Sequence, residues 1–125
     1  MSEENALKTV LIIEDEQALA KALRLKLISS GYNVVVANDG KQAIEEIEKG
    51  GFHLALVDLL MPDVDGWEVL KVCKEKRLKC MVVSNLGQEE DMARAQQMGA
   101  SKFIIKSETS LSEIVEIVQA ELENQ

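Results

Sequence analysis

Aromatic residues are scarce in this chain, with one Trp, one Tyr and two Phe among 125 residues. Any core must therefore be built from Val, Ile, Leu, Ala and Met. Bases are short as well: 14 Lys and Arg face 22 Asp and Glu, a formal net charge of -8. Such a surface repels phosphate backbones, which disfavours direct nucleic-acid binding by this chain, and it suits an anionic membrane surface no better. Its plain consequence is solubility. The two cysteines, Cys73 and Cys80, form neither a disulfide framework nor a CxxC metal pair. Both sit in or beside apolar segments, where a free Cys behaves as a small hydrophobe, and a reducing cytosol fits. The start, Met1 to Asn5, lacks the basic end and apolar stretch of a signal peptide, and no apolar run is long enough to span a membrane. A cytoplasmic protein is expected. There is no linker, low-complexity tract, repeat or glycine-rich phosphate loop.

What is present is an alternation. Short apolar runs rich in β-branched residues begin at Thr9, Tyr32, His53, Cys80 and Phe103, and helical segments separate them. Leu19, Leu23 and Leu27 share one helical face, and Gly31 ends that helix. Asp39 with Gln42, Asp65 with Glu68, and Ser110 with Glu113 have capping-box spacing. Glu89 to Met98 is helical, with acids in its first turn and Gly99 at its end. The last helix places Leu111, Ile114, Val115, Val118 and Leu122 on one face. Ile117 lies off that stripe, a weak pointer to a contact face. Five strands alternating with five helices predict a doubly wound parallel α/β sheet covered on both faces. At 125 residues the chain has room for one core, and we read 1–125 as a single domain.

In such a sheet, function gathers beyond the carboxyl ends of the strands. The first run ends in Glu14-Asp15-Glu16, the third in Asp58, the fourth in Ser84 and the fifth in Lys106. If runs one, three, four and five are neighbours, these side chains meet in one pocket. Clustered carboxylates at the edge of an apolar sheet repel one another and lose hydration. A hard cation resolves this, and Mg²⁺ takes one or two carboxylates while keeping places for water and phosphate oxygens. Each feature has a bland reading alone: acids at a helix start, a lysine reaching for water, a serine opening a turn. Their joint occurrence on four strand ends does not.

The stretch Leu56-Val57-Asp58-Leu59-Leu60-Met61-Pro62-Asp63-Val64-Asp65-Gly66 resembles the signature of response regulator receiver domains. Leu11 to Glu16 resembles the family's acid-pocket strand, and Met81 to Ser84 the strand ending in its hydroxyl switch. Met98-Gly99-Ala100 and Phe103-Ile104-Ile105-Lys106 resemble its Gly-Ala turn and aromatic-x-x-Lys strand. The likeness runs from about residue 8 to 122. It implies the flavodoxin-like (βα)5 fold of a chemotaxis-response-regulator-like domain. It also implies a switch that takes a phosphoryl group on Asp58 from a sensor histidine kinase, a phosphotransfer protein or acetyl phosphate. Such a switch sheds the group slowly and is not a turnover enzyme. Asp15, Asp58 and the backbone carbonyl of Leu60 would bind Mg²⁺ directly and Glu14 through water. Lys106 and the metal would offset charge on the transferring group. Ser84 would turn inward to the phosphoryl oxygen, and Phe103, the switch aromatic, would follow. A downstream partner would read the face of the fourth helix, fifth strand and fifth helix, which would also be the face of a homodimer.

Four departures stand out. Glu14 occupies a position where the family often has Asp. Ser107 follows Lys106 where Pro, commonly after a cis bond, is usual; a cis bond to Ser costs roughly 3–4 kcal/mol, so the peptide is trans or held by local contacts. Asn85 follows Ser84 where a small residue is common, and could narrow entry to the pocket. Leu60 and Leu86, two residues beyond Asp58 and Ser84, cannot orient a hydrolytic water, so a long-lived phosphoryl group is expected. Other readings are weaker. A haloacid-dehalogenase-type phosphatase needs its first Asp at a strand end, and Asp63 in Asp63-Val64-Asp65-Gly66 follows Pro62 instead. A calcium loop would need ligands at Met61 and Val72. His53 reads as structural, and Trp67 as packing against the third helix's start. The runner-up function is a receiver-like module that binds a partner without phosphorylation.

Overall fold

The structure is a computed structural model that describes residues 7–61 and 65–123. Strands β1 (Thr9–Ile13), β2 (Asn33–Ala37), β3 (Leu54–Val57), β4 (Cys80–Ser84) and β5 (Ala100–Ile105) alternate with helices α1 (Gln17–Ser29), α2 (Gly40–Lys49), α3 (Gly66–Glu75), α4 (Glu89–Gln97) and α5 (Leu111–Glu123). A 3-10 turn, Lys106–Glu108, joins β5 to α5. The strands form one sheet in the order β2-β1-β3-β4-β5, with every pairing parallel. Runs one, three, four and five are therefore neighbours, as the pocket requires.

Alternation along the strands divides the core in two. On one face, Val10, Ile12, Leu54, Leu56, Met81, Val83 and Ile104 pack against Leu23 and Leu27 of α1 and Ile114, Val118 and Leu122 of α5. On the other, Leu11, Ile13, Ala55, Val57, Cys80 and Val82 pack against α2, Val69, Leu70 and Cys73 of α3, and Ala95 of α4. With so few aromatics, aliphatic side chains fill both layers.

The capping residues act largely as expected. Asp39 and Asp65 accept the backbone N–H of Gln42 and Glu68, and Ser110 and Glu113 exchange reciprocal bonds. One detail differs: Gln42 accepts from the N–H of Asn38, one residue before the cap. Two larger differences concern the C-terminal third. β5 begins at Ala100, three residues before the apolar run, because it is an edge strand whose exposed Ser101 and Lys102 need no apolar partner. Its pairing with β4 is irregular between Cys80 and Val82. Ile117 is half-buried and packs on the α1/α5 layer.

Candidate functional site

The parallel registers bring the strand ends together. Ile13 pairs with Val57, Val57 with Val82, and Ser84 with Ile105. The residues that follow β1, β3 and β5 are Glu14, Asp58 and Lys106, and they share one edge with Ser84. Backbone N–H groups of Glu14 and Asp58 still extend the sheet, donating to Ala37 and Ile13. The sheet itself thus fixes both carboxylates, which are 3% and 4% exposed.

Lys106 sits at the centre of the charge. Its Nζ lies 2.7 Å from Glu14 Oε1, 2.9 Å from Asp58 Oδ2 and 4.0 Å from Glu16 Oε2. Asp58 Oδ1 accepts the N–H of Leu60 at 3.0 Å, and Glu14 Oε2 that of Glu16 at 3.0 Å. Burial pushes the Glu14 carboxyl above its ordinary range, against the hydrogen bond from Lys106 that pulls it down. Burial would lower the Lys106 ammonium, but its bonds to Glu14 and Asp58 outweigh that and raise it. The lysine is therefore charged and held.

Oxygen atoms of Glu14, Asp15 and Asp58 lie within 4.8 Å of one another, with Asp15 exposed at the rim. All three donors are carboxylates, and Lys106 is the ammonium among them. An all-oxygen set with surplus negative charge fits a hard divalent cation such as Mg²⁺. Ser84 is fully buried, and its Oγ accepts the N–H of Leu86 at 3.3 Å. Phe103 is half-buried against the α2/α3/α4 layer and, with Ala95, lines a cavity of about 170 Å³. Leu60 is 54% exposed beside Asp58, and Leu86 is half-buried.

Gly66 has a positional reason. A Cβ on it would collide with the Asp58 carbonyl oxygen and with Leu59 Cα. The helix start thus presses directly on the backbone that carries Asp58. The Pro62-Asp63-Val64 part of the signature, and with it the phosphatase reading at Asp63, lies outside the described residues.

The Lys106–Ser107 peptide is trans, since no cis bond occurs among the described residues. Asn85 lines a cavity with Glu16 and Lys106, and it accepts the Ser107 N–H on its Oδ1 at 2.9 Å. The sequence offered one signal for this contact: a serine in that turn has an N–H that needs an acceptor. His53 Nδ1 accepts the N–H of Thr9 at 3.0 Å, a structural contact remote from the acids. Trp67 packs at the start of α3, with the Arg94 guanidinium 4.0 Å over its ring. Cys73 and Cys80 are buried free thiols.

A family model described as response regulator receiver domain matches residues 10–119. The response regulator GtcR of Aneurinibacillus migulanus is 34% identical over 116 residues, which are 92% of this chain and 48% of that protein. The response regulator RR06 of Streptococcus pneumoniae is 31% identical over 98 residues, 78% of this chain and 45% of that protein. This chain spans about half the length of these curated relatives. A solved CheY-like response regulator receiver domain protein from Methanospirillum hungatei JF-1 has a TM-score of 0.89 at 27% identity, covering 95% of this chain and 96% of that one.

Proposed function

The chain belongs to the response regulator receiver domain family, and from that premise we propose that it is a two-component phosphorylation switch whose phosphoacceptor is Asp58. The observation that carries this reading is the buried Asp58 carboxylate held on one oxygen by Lys106 and on the other by the Leu60 N–H. Each oxygen keeps a lone pair. One of them attacks the phosphorus of the donor, an acyl phosphate forms on Asp58, and the donor's bond to phosphorus breaks. The leaving group is acetate from acetyl phosphate, or a histidine side chain from a sensor kinase or phosphotransfer protein.

Little covalent work falls to the protein, so positioning and charge dominate. Lys106 moves with the charge, from the carboxylate toward a phosphoryl oxygen. Asp15, Asp58 and the Leu60 carbonyl would hold Mg²⁺, with Glu14 supporting it through water. The metal would supply positive charge against the transferring group. Ser84 Oγ then gives up the Leu86 N–H, rotates and donates to the phosphoryl oxygen. Phe103 follows inward, and the face of α4, β5 and α5 changes shape for a downstream protein or a second copy of the chain. We place this chemistry in a single domain spanning 1–125, in the cytoplasm.

Trp67, the sole tryptophan, reports on this site because α3 begins against the Asp58 backbone. Beryllofluoride with Mg²⁺ should change its fluorescence in the wild type and not in Asp58→Asn. Equal responses in both proteins would reject Asp58 as the acceptor.

A further inference from the structure

The two departures on either side of the site, Asn85 and Ser107, meet each other. Ser107 is the second residue of the 3-10 turn that begins at Lys106, and its N–H needs an acceptor. Asn85 Oδ1 supplies it at 2.9 Å. Asn85 directly follows Ser84, so this bond ties the β4–α4 loop to the β5–α5 turn. A second contact lies beside it: a Cβ on Gly87 would stand 3.0 Å from Ile105 Cδ1, so the loop runs tightly against the last residue of β5. Thr109 closes the turn from its other end, its hydroxyl donating to the Ile105 carbonyl at 3.0 Å and its N–H to that of Lys106 at 3.4 Å. The Lys106–Ser107 peptide between these anchors is trans.

We infer that Asn85 is a positioning residue, clasping the Lys106–Ser107 turn so that the Lys106 ammonium is held at Asp58 and the Ser84 loop moves with it. The inference rests on the function proposed above. A lysine has a flexible four-carbon stem, so its reach is only as well defined as the backbone it springs from. Small misplacements in phosphoryl transfer are costly in rate. Asn85 is exposed and belongs to neither core layer. Its truncation therefore affects the turn without opening the fold.

The test compares wild type, Asn85→Ala and Asn85→Asp in Mg²⁺ at high ionic strength, which screens the charge added by Asp. Rate constants are measured by intact mass with acetyl phosphate and with the smaller donor phosphoramidate. Ser107 amide exchange and urea unfolding are followed alongside. Asn85→Ala should slow both donors by the same factor, about threefold to tenfold, the range one neutral hydrogen bond supports. Its Ser107 amide should exchange faster, and its urea midpoint should stay put. Asn85→Asp keeps an acceptor oxygen and should restore rate and protection together. Asn85→Ala at the wild-type rate would overturn the positioning role. Faster reaction with acetyl phosphate in particular would overturn it too, and would make Asn85 an entry gate. Unchanged Ser107 exchange in Asn85→Ala would overturn the clasp itself. A wild type that takes no phosphoryl group from either donor would overturn the functional reading, and the role assigned to Asn85 with it.

Discussion

Lys106 is one ammonium among several carboxylates, and the balance is poorest at Glu14. That side chain is 3% exposed, and burial pushes its carboxyl above the unfolded value of 4.5 despite the pair with Lys106. Its folded value therefore lies above its unfolded value. The favourable contribution of this group is full below about pH 4.5 and is lost as pH rises through the raised value. At neutral pH without a divalent cation, Glu14 costs stability. Glu14→Gln should then raise stability in urea at pH 7, with the gain fading as pH falls toward 4.5. A loss at pH 7 would mean that the Lys106 pair outweighs burial. Lys106 has the same sign in a different window: its raised value keeps its contribution intact through neutral pH and loses it only on the alkaline side of 10.5. On the proposed function, Leu60 and Leu86 bear on the opposite end of the cycle. Neither can direct a water at the acyl phosphate, so Leu86→Glu and Leu60→Asn should each shorten the phosphoryl lifetime roughly tenfold. Dephosphorylation at the wild-type rate in both variants would refute the shielding role.

Among the elements, α3 is bound most closely to the site. Its first residue, Gly66, allows the helix to press on the backbone of Asp58 and Leu59. Gly66→Ala should cost about 1–3 kcal/mol in urea unfolding, because backbone rather than a flexible side chain must yield. It should slow phosphorylation of Asp58 as well. Wild-type values for both would show that the approach is looser than the geometry implies. The same strand–helix pattern explains how much could be read from sequence. β1, β3 and β4 are buried on both faces, so they appear as unbroken apolar runs. Gly31 and Gly99 take positive φ just after α1 and α4, where the sequence places helix ends. β5 was legible only in its second half, since Ser101 and Lys102 are exposed on an edge strand and carry no apolar signal. The strand-end rule found Glu14, Asp58, Ser84 and Lys106 because parallel strands in register must bring their ends together. It could not find the Asn85–Ser107 bond, which joins two loops 22 residues apart through a backbone N–H rather than a side-chain pattern.

For the whole molecule, the net charge of -8 and the pocket of acids act in the same direction. An anionic phosphodonor approaches a negative protein, so phosphorylation by a small donor should quicken with ionic strength before Mg²⁺ binding weakens. This chain spans about half the length of its curated relatives. The fold accounts for the site itself: a sheet that aligns four strand ends, two apolar layers that hold it, and an edge strand next to the lysine turn. The central claim is that Asp58 accepts the phosphoryl group. Intact mass after incubation with acetyl phosphate, with and without Mg²⁺, beside Asp58→Asn, tests it most directly. The expected result is a gain of one phosphoryl group that requires both Mg²⁺ and Asp58. No gain in the wild type, or an equal gain in Asp58→Asn, would contradict it.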